Sequence, residues 1–411
     1  MEKIQSVRGT YDLYGEAKRK LKKVIETGSK VVEKYGFEEI ETPIFEFTEV
    51  FSRNLGDTSD IVTKEMYCFS DKGGESLTLR PEGTAGAVRA FISNGMQQNL
   101  PVKFYYSGPM FRYERPQKGR QRQFTQFGIE LLGVDTPQAD IEVISMAYEF
   151  LEKLGLAGMV MVEINSLGDA ESRDAYREKL VAYLKEHYEE LSEDSKNRLE
   201  KNPLRILDSK EECDKAVVEN APLYADSLNE TSKNFFAAVL KGLDNLGIKY
   251  RVNNRLVRGL DYYSHTVFEL TTDKLGAQGT VLAGGRYDGL VAQMGGGDVA
   301  GIGWACGVER LAMLLDENVD LPRPIAVIPL GDDTNDKAME IAYKLRRAGF
   351  RVEQGYSGNI KKRMARANKA NALKAVIIGS DEMAAGMVTL KDFESGEQKN
   401  VAFDALVEEL S

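Results

Sequence analysis

Histidine is scarce in this chain of 411 residues, which has only His187 and His265. His187 lies in a charged stretch, LKEHYEE, that is typical of an exposed helix. Two histidines argue against a histidine-based catalytic triad and against a histidine-ligated metal. The sequence therefore predicts that any chemistry depends on arginine, glutamate, tyrosine and backbone amides, with bound Mg²⁺ as a possible addition.

Cysteine is almost as rare, and the three cysteines are far apart in the sequence and lack the spacing of metal ligands (Cys68, Cys213 and Cys306). An odd, scattered set argues against a disulfide framework and against a zinc site. We therefore expect no structural metal in this protein.

Long apolar runs are also missing, since none approaches the roughly 20 residues that cross a bilayer. The first residues, MEKIQSVRGTYDLYGEAKRK, lack the apolar segment of a secretory signal. We therefore expect a cytoplasmic protein with no membrane association. The net charge of −10 argues against unspecific coating of nucleic acid, although a local basic patch can still bind RNA.

The length predicts two or three domains. Residues 15–34 have apolar side chains at helical spacing, and Gly36 is expected to end that helix. Residues 37–51, FEEIETPIFEFTEVF, alternate between apolar and polar side chains like a strand. Pro43 cannot donate a ladder hydrogen bond, so we expect this strand to lie at a sheet edge or to bend there. A helix followed by an edge strand is typical of a dimer-forming unit, although a plain edge strand fits this pattern equally well.

Three further stretches have clear patterns. SLTLRPEGTAGAVRAFI, residues 76–92, predicts a strand, a sharp turn that holds Glu82, and a helix capped by Thr84. Residues 169–247 are charged and rich in helix signals. After the proline-bounded LPRP, strand and helix patterns alternate, which predicts a small α/β domain with a largely parallel sheet.

The most informative segment is FRYERPQKGRQRQFTQFGIE, residues 111–130, in which five cations surround Glu114. Apolar segments flank it, so we expect two strands joined by a long basic loop. Such a loop suits a polyanion, for example a nucleoside triphosphate or an RNA end. A solvated hairpin tip is the alternative, and the aromatic residues among the charges favour binding. The cations are Arg112, Arg115, Lys118, Arg120 and Arg122.

The chain resembles a family whose motifs appear here in order. The helix with its Pro43 strand, FRYERPQKGRQRQF and GIGWACGVERL are similar to motifs 1, 2 and 3 of class II aminoacyl-tRNA synthetases. LTLRPEGTA and RGLDYY (residues 258–263) resemble the more specific signatures of histidyl-tRNA synthetases. The resemblance to histidyl-tRNA synthetases covers nearly the whole chain.

This resemblance implies a fold and a domain order. The expected fold is an α+β catalytic core, with an antiparallel sheet flanked by helices, in two parts (residues 1–168 and 249–320). A helical insertion, residues 169–248, separates them, and a C-terminal α/β anticodon-binding domain follows at residues 321–411. The family also implies a homodimer.

The implied activity is that of an ATP-dependent histidine–tRNA ligase. ATP, accompanied by Mg²⁺, and L-histidine form histidyl-adenylate, and histidine then passes to the 3′ end of histidine tRNA. One alternative is a catalytically inactive paralogue that serves as a regulatory subunit in histidine biosynthesis. Such proteins typically lack the last domain and degrade motif 2 and RGLDYY, all of which this chain retains. A general RNA-binding module would not explain Glu82, Gln126 and Glu130 beside the arginines.

The resemblance assigns catalytic roles to Arg112 and Arg258, on opposite sides of the α-phosphate, where fixed cations neutralise the reacting anions. Arg258 takes the place of a metal found in other class II enzymes, and an ion pair with Asp261 is its alternative role. ATP binding is implied for Arg112, Glu114, Phe124 and Arg310. Phe124 would stack on adenine or only pack in the sheet, and Arg310 would meet the γ-phosphate or only pair with Glu309.

Histidine needs acceptors for its ammonium group and a partner for its imidazole. Gln126 and Glu130 are four apart on one predicted strand and share a face, although each alone fits a surface position. A pocket that hydrogen-bonds a polar side chain rejects apolar analogues by ~10⁴–10⁵. The residues implied for histidine binding are Glu82, Gly83, Thr84, Gln126, Glu130, Arg258, Tyr262, Tyr263 and Tyr287.

For tRNA, Arg115 and Gln117 match the motif 2 residues that meet the extra G−1 and base 73. Cations of residues 361–369 form a helix face that would meet the anticodon stem or be merely solvated. Tyr113 and Thr125 depart from residues that are frequent in the family. Neither position supplies an essential charge, so we expect both to be tolerated.

Overall fold

The computed structural model describes residues 3–53, 61–209, 211–258, 262–276, 279–316 and 318–411. The chain forms two compact units, residues 1–319 and 320–411. The helices of the first unit are α1 (Gly15–Val32), α2 (Glu49–Ser52), α3 (Thr84–Ser93), α4 (Pro137–Lys153), α5 (Ala170–Glu186), α6 (Glu193–Lys201), α7 (Glu212–Glu219), α8 (Glu230–Asn245), α9 (Leu290–Gln293) and α10 (Val308–Leu314).

The first unit contains a sheet of eight strands and a sheet of three. Its strands are β1 (Glu38–Glu39), β2 (Phe45–Phe47), β3 (Tyr67–Ser70), β4 (Ser76–Leu79), β5 (Val102–Phe111), β6 (Gln123–Leu132), β7 (Met161–Ser166), β8 (Tyr250–Val252), β9 (Ser264–Thr271), β10 (Thr280–Arg286) and β11 (Gly301–Gly307). The large sheet has the order β1-β5-β6-β11-β10-β9-β7-β8, and β2-β4-β3 form the small one.

Strands β5, β6, β11, β10, β9 and β7 pair antiparallel, while the outer pairs β1–β5 and β7–β8 are parallel. The predicted α+β core, with an antiparallel sheet flanked by helices, is therefore confirmed, with two parallel edges. Helices α1 and α4 bury apolar faces against this sheet, where Phe127, Phe150 and Trp304 lie with ring centres 5.6–5.9 Å apart. This packing holds β6 and β11, which carry much of the candidate site.

Strands β5 and β6 form a hairpin whose register runs from Val102 opposite Leu132 to Phe111 opposite Gln123. Residues 112–122 connect them, as the flanking apolar segments predicted. The first helix is also confirmed, because α1 continues as a 3₁₀ turn over Glu33–Tyr35 and ends at Gly36, whose φ is 80°.

The prediction of one strand over residues 37–51 is wrong. The segment forms β1 at the edge of the large sheet and β2 at the edge of the small one, and then α2 begins at Glu49. Pro43 lies between the two strands and has no N–H to give to a ladder. At this break between the strands, the buried Arg80 guanidinium donates to the carbonyl of Thr42 at 2.8 Å.

The predicted cap of α3 also differs. Thr84 is the first residue of the helix rather than its cap. The Glu82 carboxylate takes the capping role, because it accepts from the backbone N–H groups of Thr84 and Ala85, each at 2.8 Å. A side chain two residues upstream therefore satisfies donors that the helix leaves open.

Residues 167–249 form helices and turns in the part of the chain that the structure describes, as their charged, helical texture predicted. Helices α5 to α8 lie between β7 and β8 in the chain. Asp214, fully buried, accepts hydrogen bonds from the hydroxyls of Ser192, Ser195 and Ser209, and so ties three segments of this region together.

The second unit has helices α11 (Asn335–Arg347), α12 (Ile360–Lys369), α13 (Ser380–Ala384) and α14 (Leu406–Leu410), and strands β12 (Ile325–Pro329), β13 (Val352–Gln354), β14 (Lys374–Ile378), β15 (Met387–Asp392) and β16 (Gln398–Ala402). The strand order is β13-β12-β14-β15-β16. The first three strands are parallel, but β15 and β16 are antiparallel. The prediction of a largely parallel sheet is wrong for two reasons. The connection from β14 to β15 is too short for a parallel crossover, so this pair is antiparallel. Strand β16, with Val401 as its one buried side chain, has too weak an apolar pattern to predict.

Candidate active site

A cavity of about 460 Å³ lies in the first unit, with walls from β6, β9, β10 and β11, from the loop after β5 and from the first residues of α3 and α10. Most of the side chains that the sequence singled out line it. They are Glu82, Thr84, Arg112, Glu114, Phe124, Gln126, Arg258, Tyr262, Tyr263, Tyr287 and Arg310.

Four predicted residues do not line this cavity. Arg115 and Gln117 are exposed on the loop between β5 and β6. Gly83 lies behind the wall, where its N–H donates to Oε1 of Gln126 at 3.0 Å and so orients that amide. Glu130 also lies behind the wall, and only 1% of its surface is exposed, which excludes the alternative of a surface strand residue.

The Glu130 carboxyl is enclosed by tyrosine hydroxyls. Tyr106 donates to its Oε1 at 3.2 Å, and Tyr287 donates to its Oε2. Burial raises the pKa of Glu130 to about 8, although these hydrogen bonds act in the opposite direction. Gly303, which lines the cavity, leaves the space for Oε2, because a Cβ there would lie 2.2 Å from that oxygen.

Glu82 forms the second buried carboxyl of the site. Burial raises its pKa, and the two backbone hydrogen bonds at the start of α3 together with the Arg112 charge oppose that rise. Because those backbone groups fix its position, Glu82 faces the cavity as a preoriented acceptor.

Arg258 forms an ion pair with Glu269, and the other oxygen of Glu269 accepts from the Thr280 hydroxyl at 2.7 Å. The Arg258 guanidinium also lies 5.6 Å from the centre of the Tyr263 ring. The sequence-based alternative, an ion pair with Asp261, concerns a residue outside the described ranges. Arg258 is thus held at the cavity wall by a carboxylate on β9.

Arg112 is held by a backbone carbonyl and an aromatic ring. Its Nε donates to the carbonyl of Pro81 at 2.8 Å, and its guanidinium lies 5.4 Å from the centre of the Phe124 ring. Phe124 is half-buried and lines the cavity. These contacts bring a cation and a flat aromatic surface together at one wall.

The basic loop lines part of the cavity and is fastened there by side-chain contacts. Arg120 pairs with Glu114 at 2.6 Å, and Arg310 donates to the carbonyls of Gly119 at 3.1 Å and Thr280 at 2.9 Å. Burial and the charges of Arg120 and Arg112 lower the pKa of Arg310. Several guanidinium groups therefore share one partly buried region, which suits a bound polyphosphate.

Comparisons with known proteins decide the family. A family model described as "Histidyl-tRNA synthetase" matches residues 9–311, and one described as "Anticodon binding domain" matches residues 324–411. The chain belongs to the histidyl-tRNA synthetase family.

Relatives of this family cover the chain from one end to the other. The histidine–tRNA ligase of Rhodospirillum rubrum is 56% identical over 412 residues, which cover 100% of this chain and 99% of the relative. That of Gluconobacter oxydans is 55% identical over 411 residues, with 100% and 99% coverage. The crystal structure of apo S. aureus histidyl-tRNA synthetase superposes with a TM-score of 0.83 at 36% identity and covers 99% of both chains.

The two departures from the usual family residues lie outside the cavity lining. Tyr113 is exposed and packs on Arg122, whose guanidinium is 3.7 Å from the ring centre. The backbone N–H of Thr125 donates to Oε1 of Glu309 at 2.8 Å. A backbone contact does not depend on the residue type, which is consistent with the expected tolerance of Thr125.

Two residues that hold the site together, Glu269 and Tyr106, were not predicted from the sequence. Glu269 lies in HTVFELTT, where a carboxylate among buried strand residues must find a partner. That requirement is the signal that would have found it. Tyr106, in KFYYSGPMF, had no such signal, because a buried tyrosine in a strand is ordinary.

Within the described ranges, no group of three or more histidine, cysteine, aspartate or glutamate side chains is arranged to hold a metal ion. The helices in those ranges also include none that is both long and apolar enough to span a membrane.

Proposed function

We propose that this cavity performs the reaction of a histidine–tRNA ligase, with the residue roles given below. The family and the full-length similarity to proteins named as histidine–tRNA ligases support an ATP-dependent ligase over the regulatory alternative. The observation that carries the assignment of roles is the meeting of Arg112 and Arg258 with Glu82 and Gln126 in one cavity.

The first step joins the histidine carboxylate to the α-phosphorus of ATP and releases pyrophosphate. Two anions must approach, and negative charge accumulates on the phosphoryl oxygens. Arg112 and Arg258 would neutralise that charge from two directions, and both are already oriented, by the carbonyl of Pro81 and by Glu269 respectively. Oriented cations stabilise a transition state without reorganising during the reaction.

Histidine would bind between the two buried carboxyl groups. Its ammonium group would meet Glu82, Thr84 and Gln126. The backbone N–H of Gly83 orients the amide of Gln126. Its imidazole would lie among Tyr262, Tyr263 and Tyr287 and donate to Oε2 of Glu130. A carboxylate oxygen has two lone-pair sites, so Oε2 can accept from the imidazole while it accepts from Tyr287.

ATP would bind on the side of the basic loop. Phe124 would stack on adenine, Glu114 would accept from its amino group, and Arg310 would bind the γ-phosphate. Mg²⁺ would enter with ATP as part of the substrate. Because Glu114 now pairs with Arg120, adenine recognition requires this pair to open or to share its oxygens.

The exposed Arg115 and Gln117 would meet the acceptor end of histidine tRNA. In the second unit, Lys361, Lys362 and Lys369 of α12 are exposed and would meet the anticodon stem. We further propose the division into residues 1–168, 169–248, 249–320 and 321–411, and a cytoplasmic location.

Homodimer formation is proposed from the small sheet. Ile44, Phe45, Phe47 and Phe69 are large apolar side chains that are between 44% and 53% exposed there. An exposed apolar cluster on edge strands is typical of a protein–protein interface.

Substitution of Arg258 by alanine tests the catalytic assignment. Loss of one oriented donor to a transition state costs about 10²–10³ in rate, so histidine-dependent ATP–pyrophosphate exchange should fall by at least that factor. The matched control is Arg251→Ala, since Arg251 is 66% exposed and pairs with Glu163 away from the cavity. Unchanged exchange in folded Arg258→Ala would refute the role, and exchange with any of the other nineteen amino acids would refute histidine specificity.

A further inference from the structure

A buried tyrosine lies directly behind the wall of the cavity. Tyr106, on β5, is 5% exposed and does not line the cavity. Its hydroxyl donates to Oε1 of Glu130, while Tyr287, which does line the cavity, donates to Oε2. The Glu130 carboxyl is therefore held by two phenols, one from the cavity wall and one from the protein interior.

The Tyr106 ring is fixed by backbone on two sides. A Cβ added at Gly83 would lie 2.1 Å from the ring, and a Cβ added at Gly128 would lie 2.5 Å from the hydroxyl oxygen. Gly128 is the cross-strand partner of Tyr106 in the β5–β6 pair. The ring is thus wedged between the turn before α3 and strand β6, and its hydroxyl has little freedom to turn away from Glu130.

The two carboxyl oxygens of Glu130 therefore have different surroundings. Oε1 accepts from Tyr106, which does not line the cavity. Oε2 accepts from Tyr287 and lies against Gly303, and both of these residues line the cavity, so Oε2 is the oxygen next to the cavity wall. A carboxyl group anchored at one oxygen cannot rotate freely, so the other oxygen keeps a fixed direction.

We propose that Tyr106 is a positioning residue for substrate recognition, whose hydroxyl anchors Glu130 so that Oε2 faces the imidazole of histidine. This inference rests on the proposed function, since it assigns to Tyr106 a part in the histidine pocket. Tyr106 acts through Glu130 and touches neither ATP nor the phosphates. Its loss should therefore affect recognition of histidine and leave the handling of ATP unchanged.

The test is Tyr106→Phe in the full chain, which keeps the wedged ring and removes only the hydroxyl. The KM for histidine in ATP–pyrophosphate exchange should rise about five- to tenfold, the upper part of the range for one ordinary hydrogen bond. The KM for ATP and kcat should stay within about twofold of the parent, because the contacts of Arg112 and Arg258 remain.

A pH profile separates positioning from simple packing. The Tyr106 hydrogen bond lowers the pKa of Glu130, so its removal should raise that pKa further. If ionised Glu130 accepts the imidazole N–H, the pH range in which the KM for histidine improves should move upward in Tyr106→Phe. Raising the pH should then restore part of the lost affinity.

The chain offers a matched control in the adjacent residue. Tyr105 is 4% exposed, faces the opposite side of β5, and donates to Oε1 of Glu33 at 2.9 Å. Tyr105→Phe removes the same atom from an equally buried tyrosine and should leave the KM for histidine and its pH profile unaltered. An equal rise in both variants would indicate general loosening and would overturn the proposal.

A second variant links the effect to Glu130. In a Glu130→Gln background, adding Tyr106→Phe should change the KM for histidine by less than about twofold, because residues that act through one contact are not additive. Full additivity, or a parental KM and pH profile in Tyr106→Phe alone, would overturn the proposal. A parent protein without histidine-dependent exchange would instead refute the proposed function itself.

Discussion

Replacing Glu269 by glutamine removes the charge that faces the Arg258 guanidinium but keeps the length and shape of the side chain. The amide oxygen can still accept from Arg258, and the amide N–H₂ can still meet the Thr280 hydroxyl. The substitution therefore leaves the packing of β9 intact and changes one property, the strength with which Arg258 is held.

The size of the effect follows from the contacts. Glu269→Gln keeps a hydrogen bond from the charged guanidinium and removes the attraction between two opposite charges, which for a partly exposed pair contributes about 1–1.5 kcal/mol. Arg258 and Glu269 are 19% and 17% exposed, so solvent screens the pair only in part. If the lost orientation is felt fully in the transition state, kcat falls by about tenfold.

The assay is histidine-dependent ATP–pyrophosphate exchange, with kcat and both KM values measured. Glu163→Gln is the matched control, because Glu163 lies directly opposite Glu269 in the β7–β9 register. Glu163 pairs with Arg251 and does not line the cavity, so its substitution should leave kcat unchanged.

A double-mutant cycle supplies the decisive outcome. If Glu269 acts only through Arg258, adding Glu269→Gln to Arg258→Ala should cause no further loss of kcat. A parental kcat in Glu269→Gln, beside a large loss in Arg258→Ala, would show that Arg258 needs no carboxylate to hold it. That result would refute the orienting role of Glu269.

Two further predictions concern other parts of the first unit. Glu130→Gln should raise the KM for histidine. Because the pKa of Glu130 is about 8 in the folded protein and higher than in the unfolded chain, the parent loses folding stability as the pH rises toward 8. The melting temperature of Glu130→Gln should therefore rise relative to that of the parent as the pH increases from 5 to 8. A difference in melting temperature that stays constant over this range would contradict the raised pKa. Phe47→Glu should place a charge in the proposed dimer interface and give a monomer in sedimentation velocity, whereas Tyr343→Glu, at an exposed site of the second unit, should not. A Phe47→Glu dimer as stable as the parent would refute that interface.

Much of the fold was predictable because its signals are local. The spacing of apolar residues gave α1, and two apolar segments around the basic loop gave the β5–β6 hairpin. Signals failed where local patterns were weak or ambiguous. Pro43 was consistent with a bend or an edge, and only the structure shows two strands in different sheets. The polar β16 had one buried side chain and could not be distinguished from a loop.

For the candidate site, amino-acid composition limits the chemical groups that are available, and it favours arginines and glutamates over histidines and metal-binding cysteines. Motif resemblance, carried by contiguous peptides, then named a set of residues most of which line the cavity. The partners that fix those residues, such as Glu269 for Arg258 and Tyr106 for Glu130, are known from the fold alone. Arg258 precedes β9, which carries Glu269, while Tyr106 and Glu130 lie on the paired strands β5 and β6, and no short-range pattern records which side chains such folding brings into contact.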